Sequence, residues 1–234
     1  MTPKYDHALI IGTGPGLSTS LARLFAEKGM KVSLAARSPD KVADLATETG
    51  ATAHACDAGD HEQVAELFAQ LDEGGAPDVV VYNPSARVRG PLVELDPVAV
   101  QQAVQITALG AFFAAQQAAK RMIKSNHGAI LFTGASAGVK GFPNSSTFAM
   151  GKFAMRGLAQ SMARELHPLG IHVGHFVIDG GIRNPDRPGR MDGPDNPDSM
   201  LCPDAIARSY WHFLEQDRSS WAWEIELRPW VERF

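Results

Sequence analysis

The chain has 234 residues, 44% hydrophobic and 21% charged, long enough to bury one sizeable core as a single α/β domain. A formal net charge of −4 offers no basic field to draw in nucleic acid or an anionic membrane surface, so neither is expected as a partner. Two cysteines, Cys56 and Cys202, stand far apart without a C-x-x-C motif, and the eight histidines show no H-E-x-x-H spacing, which argues against disulfides and metal sites and for a reducing, cytoplasmic setting.

The opening "MTPKYDHALIIG" runs into glycines after a short apolar stretch, too short for a signal sequence or a spanning helix. From there apolar runs alternate with segments of helical period. Strands are predicted at His7–Gly12, Lys31–Ala36, Ala51–Cys56, Asp78–Tyr82, Gly128–Thr133, Ile171–Ile178 and Trp223–Leu227. Between them "LSTSLARLFAEKG", "HEQVAELFAQL", "VAVQQAVQITALGAFFAAQQAAKRMI" and "FAMGKFAMRGLAQSMAREL" carry apolar residues at helical spacing, with Gly29 and Gly170 where C-caps belong. The alternation predicts a single-domain, doubly wound parallel sheet of about seven strands with helices on both faces, a Rossmann fold. Residues 183–200, "RNPDRPGRMDGPDNPDSM", are dense in Pro, Gly, Asp and Asn; they form either a substrate lid over a site or a solvated surface loop.

In "LIIGTGPGLSTSLA", Gly12, Gly14 and Gly16 separate the first strand from its helix, and glycines there let the backbone approach a pyrophosphate at the helix N-terminus. Leu17 stands where the last glycine of G-x-G-x-x-G would fall. The second strand ends "SLAARS", with no acidic residue at its tip and Arg37 placed to meet a 2′-phosphate, which favours NADP(H) over NAD(H); an ordinary solvated arginine is the alternative.

These motifs, in this order, resemble the short-chain dehydrogenase/reductase superfamily over nearly the whole chain. The family's TGxxxGxG pattern maps onto Ile11 to Ser18, "CDAGD" resembles its acidic turn, "VVYNPSA" its NNAG segment and "FVIDGGIRNP" its PGxxxT segment. The resemblance implies a cofactor set of Gly12, Gly14, Gly16, Leu17, Arg37, Asp57, Asn83, Lys152, Gly180, Ile182 and Asn184. In it Asp57 would meet the adenine amine and Asn184 would replace the threonine at the nicotinamide carboxamide. It also implies homodimers or homotetramers paired through the apolar helices around Gln101–Ile123 and Phe148–Leu166.

The same resemblance sharpens one departure. Where the family has Tyr-x-x-x-Lys on one helix face, this chain has Phe148 and Lys152; the partner serine falls on Ala135, and the upstream asparagine on Thr107. Lys152 would hold the nicotinamide ribose, Ser136 and Thr107 are substitute catalytic candidates, and Tyr82 could offer a phenol or simply pack. Ser145, Ser146 and Thr147 are expected to cap the helix that follows. Three functions follow: a divergent NADP(H)-dependent oxidoreductase acting on a carbonyl or activated C=C of a small molecule, a non-catalytic NADP(H)-binding sensor, or a partner-binding protein that has lost the cofactor.

Overall fold

In the computed structural model, which describes residues 4–232, seven strands lie in chain order: β1 (His7–Ile11), β2 (Lys31–Ala36), β3 (Thr52–Ala55), β4 (Val79–Tyr82), β5 (Gly128–Thr133), β6 (Ile171–Ile178) and, after a short pair, β9 (Glu224–Leu227). They form one sheet in the order β3-β2-β1-β4-β5-β6-β9 with every pairing parallel. All residues of β1, β4, β5 and β6 are buried, as a parallel sheet covered on both faces requires. The order reverses between β1 and β4, so a crevice opens beyond their carboxyl ends, where sheets of this kind bind ligands.

Alternate strand residues feed two cores. Leu9, Val80 and Ile130 pack beneath α3 (His61–Asp72), α5 (Gly110–Ser125) and α6 (Ser146–Leu166), meeting Phe68, Ala114 and Ala159. Ile10, Val81 and Leu131 pack beneath α1 (Leu17–Glu27) and α7 (Pro203–Leu214), meeting Phe25 and Tyr210. α7 and the short α2 (Ala43–Thr49) were not among the four predicted helices. The polar start of α7 and the Thr and Glu residues of α2 dilute the apolar period that the sequence reading relied on.

The run predicted as one helix from Val98 to Ile123 is divided. α4 (Pro97–Val104) passes into a π-helical turn, Gln105–Leu109, before α5 begins at Gly110. The Tyr82 hydroxyl donates to the Ile106 carbonyl inside that turn, so this phenol packs and burial pushes its pKa up, away from any acid role. Together Pro97–Ser125 is long and apolar enough to cross a membrane by length and composition, yet Ala111, Ala114, Ala115, Ala118 and Met122 bury one side of it in the core.

The expected capping of α6 does not occur: Ser145 holds the N-cap position with no side-chain bond to the helix, and the Thr147 hydroxyl is buried without a partner. Asp60 and Asp96, by contrast, accept two backbone N–H bonds each at the starts of α3 and α4. In the C-terminal tail Trp221 stacks on His172 at 4.3 Å and Trp223 packs on the core of its own chain, while Trp230 is exposed. The last two residues of that tail lie outside the described residues.

Candidate active site

A cleft of about 720 Å³ runs across the carboxyl ends of β1, β2, β4 and β5. At one end the glycine-rich turn makes its floor. Gly12 adopts φ +80°, and a Cβ there would stand 2.6 Å from the Pro84 ring, so the turn and the segment after β4 close together only without a side chain. Gly14 faces open space in the cleft, leaving its backbone accessible. Gly16 is the N-cap of α1, with no side-chain cap bond and no acidic residue in the first turn, so the helix presents its N–H groups and positive end to whatever lies over the turn. Ser18, where the family pattern has glycine, donates to the Gly12 carbonyl at 3.1 Å and accepts from Asn83 Nδ2 at 2.7 Å. Asn83 thereby fastens β4 to the turn. These features fit a pyrophosphate.

Leu17, Arg37, Asp57 and Asn83 line the same cleft. Arg37 is exposed at the rim just past β2, with no ion pair among the described residues. Asp57, past β3, accepts from the Gly59 N–H at 2.9 Å.

At the far end stand Thr133, Gly134, Ala135, Phe148 and Lys152. Phe148 packs with Ala135 and Ala137 into a small apolar wall. Lys152 is 2% exposed, and its ammonium donates to the Thr133 carbonyl at 2.5 Å. Burial, with a further push from Arg87, lowers its pKa to about 7. Arg87 itself lies over the Phe148 ring at 3.7 Å.

Two substitute catalytic candidates are placed elsewhere. Ser136 is half-buried at the start of a 3₁₀ turn, where its carbonyl accepts the Val139 and Lys140 N–H groups, and it does not line the cleft: the chain leaves the strand direction after Ala135 and carries it away. Thr107 is buried under Gly151 and accepts the Ala86 N–H at 3.0 Å, so it positions the segment carrying Arg87 and is not itself part of the cleft wall.

The segment after β6 is ordered over the cleft. β7 (Gly181–Ile182) pairs with β8 (Met200–Leu201), and Asp192 ties the intervening loop by accepting from Arg183, Ser199 and the Met200 N–H. Gly180, Ile182 and Asn184 line the cleft, and so do Arg187 and Arg190. Asn184 donates to the Pro15 carbonyl at 3.4 Å and accepts from the Asp186 N–H at 3.0 Å, so its amide is spent on bridging this loop to the glycine-rich turn. Asp179, where the family has proline, is buried with Lys140 at 3.6 Å and Arg228 at 3.5 Å.

Sequence reasoning missed Arg87, Arg187 and Arg190. The one available signal was the density of arginine in "SARVRG" and "RNPDRPGR", segments that follow strand ends where ligands bind.

The lowered Lys152 pKa makes stability depend on pH in a definite direction. An unfolded lysine keeps a pKa near ~10.4, so above about pH 7 the unfolded chain holds more protons than the folded one and stability rises with pH. Denaturant unfolding of the apoprotein between about pH 7 and about pH 9 should show this rise at up to about 1.4 kcal/mol per unit from this group, and Lys152→Met should remove that component. A wild-type slope equal to that of the variant would contradict it.

Fold and cleft together define a doubly wound dinucleotide-binding domain. The profile of the short chain dehydrogenase family matches residues 6–183, and the chain belongs to that family. It is 30% identical over 191 residues to the cyclic-di-GMP-binding biofilm dispersal mediator protein of Escherichia coli, covering 81% of this chain and 74% of that one. It is 29% identical over 180 residues to a 3-dehydrosphinganine reductase of Arabidopsis thaliana, covering 73% of this chain but 53% of the relative, so it spans little more than half the length of that protein. A solved short-chain dehydrogenase from Rhodopseudomonas palustris superposes with a TM-score of 0.82 at 30% identity, over 97% of this chain and all of the other (100%).

Proposed function

We propose that this protein is an NADP(H)-dependent oxidoreductase that reduces a carbonyl or an activated C=C of a small molecule without the tyrosine and serine its family resemblance leads one to expect. The observation that carries the proposal is the continuity of the cleft: an uncapped helix N-terminus over Gly14 and Gly16 at one end, and the buried Lys152 ammonium beside Phe148 at the other. Bound NADP(H) would supply the hydride. Lys152 would hold the nicotinamide ribose, Asp57 the adenine, and the α1 N-terminus the pyrophosphate. The apolar wall of Ala135 and Phe148 offers no proton, so the chemistry it suits is one in which a developing oxyanion needs a hydrogen-bond donor more than an acid.

Arg37, unpaired at the rim beyond β2, supports a preference for NADP(H). Titration of NADPH and NADH into the wild type and Arg37→Asp tests both points. NADPH should bind more tightly than NADH, and the variant should lose about ten- to a hundredfold in NADPH affinity with little change for NADH. Equal losses for both would remove Arg37 from the 2′-phosphate, and failure of the wild type to bind either nucleotide would end the proposal.

A second reading, a nucleotide-binding regulator without turnover, is favoured by the absence of a phenol lining the cleft among the described residues and by the name of the Escherichia coli relative, which describes a cyclic-di-GMP-binding protein. Tight NADPH binding without reduction of any carbonyl or enoyl compound would favour it. The exposed Leu109, Phe112, Met150 and Phe153 on and beside α5 and α6 support assembly as a homodimer or homotetramer; a cytoplasmic setting without nucleic-acid or membrane partners belongs to the same proposal and rests on the net charge of −4.

A further inference from the structure

We propose that the substrate of this site carries a carboxylate, and that Arg87, seated on the Phe148 ring, is the residue that holds it. The inference rests on the oxidoreductase reading above and names the class of molecule that reading leaves open.

The cleft is far more cationic than the chain that forms it. Among the described residues Arg37, Arg87, Lys152, Arg187 and Arg190 line it against one carboxylate, Asp57, although the whole protein carries −4. Part of that charge has work within the dinucleotide site: Arg37 stands at the 2′-phosphate position, and Lys152 is already bonded to the Thr133 carbonyl. The pyrophosphate needs no arginine, since the α1 N-terminus meets it. Arg87, Arg187 and Arg190 remain, and none has an ion-pair partner among the described residues.

Those cations converge at a cost. Arg87 keeps access to solvent from the cleft mouth, yet partial desolvation and then the neighbouring Arg89, Arg190 and Arg187 work against its charge, an arrangement that a bound anion would relieve. Arg87 also has a defined seat. Its guanidinium is stacked at 3.7 Å on Phe148, and the Ala86 N–H just before it is fixed by Thr107. A guanidinium stacked on a ring keeps its N–H edges available for bidentate bonds, the geometry a carboxylate matches. Ala135 and Phe148 make the floor beneath the guanidinium apolar. The Phe148 ring therefore has a use that a phenol would not improve: it is the platform for Arg87.

The test uses the full chain saturated with NADPH and the probes benzoylformate, acetoacetate and levulinate, each beside its methyl ester, with binding read from the fluorescence of the bound nucleotide. At least one acid should bind about ten- to a hundredfold more tightly than its ester. Arg87→Met should erase that preference and leave NADPH affinity within about twofold, while Arg87→Lys, which keeps the charge and guards against a folding artefact, should retain part of it. Acids bound no better than esters, including the outcome in which neither binds, would overturn the inference while leaving the cofactor reading intact. So would an Arg87→Met variant that loses NADPH affinity, because Arg87 would then belong to the dinucleotide. A wild type that binds no NADPH removes the oxidoreductase reading and this inference together.

Discussion

Replacing Phe148 by tyrosine together with Ala135 by serine is expected to raise NADPH-dependent carbonyl reduction by about 10²–10⁴, the usual contribution of a positioned general acid. Both positions line the cleft and pack against each other, so the new hydroxyls enter an existing space and do not have to open one. The Lys152 ammonium lies 5.8 Å from the centre of the Phe148 ring, near enough for its charge to lower the pKa of a phenol there. The double substitution matters because a lone tyrosine would meet an alanine where a second donor is needed to orient the substrate oxygen. The measurement is the steady-state rate on a panel of aldehydes and ketones, with NADPH affinity as the control. An unchanged background rate at intact affinity would contradict this expectation and show that the geometry around the ring has diverged along with its chemistry.

How much of this was legible in the sequence divides along physical lines. The sheet was read almost to the residue, because fully buried parallel strands leave unmistakable apolar runs, as in "HALII" and "VVVY". The glycine-rich turn was legible too, and it stands between β1 and α1 at one end of the cleft. What failed were features set by tertiary contacts between segments distant in sequence. The π-helical turn at Gln105–Leu109 follows an unbroken helical pattern and exists where Tyr82 donates to the Ile106 carbonyl. Ser136 carries the right hydroxyl but sits one residue out of register with the cleft. Thr107 occupies the position aligned with the family's asparagine, yet its bond to Ala86 makes it a support for Arg87. Arg87 itself was marked by nothing beyond the arginine density of "SARVRG", because no local pattern distinguishes an arginine destined for an aromatic face from one left in water.

The largest effect on stability is expected at Gly110, the residue that closes the π-helical turn. Intrinsic helix propensity favours alanine over glycine there by about 0.8–1 kcal/mol. Packing decides otherwise. A Cβ at Gly110 would lie inside van der Waals contact of both the Tyr82 hydroxyl and the Ala58 carbonyl, and neither can yield cheaply. Tyr82 is fully buried and bonded to the Ile106 carbonyl; the Ala58 oxygen belongs to the backbone of the turn after β3. Overpacking of this kind costs about 1–3 kcal/mol and more where backbone must move, so Gly110→Ala should lose about 2 kcal/mol net and lower the melting temperature by about 4–8 °C. Tyr82→Phe combined with Gly110→Ala separates the two contacts: removing the hydroxyl relieves one, and only part of the loss should return because the Ala58 carbonyl remains. The strain also reaches function, since Asp57, Ala58 and Ile106 line the nucleotide cleft, and NADPH affinity should fall in Gly110→Ala even where the protein is still fully folded. A variant as stable as the wild type would mean that α5 shifts freely against β4, and with it the tight seat of the π-helical turn would be refuted.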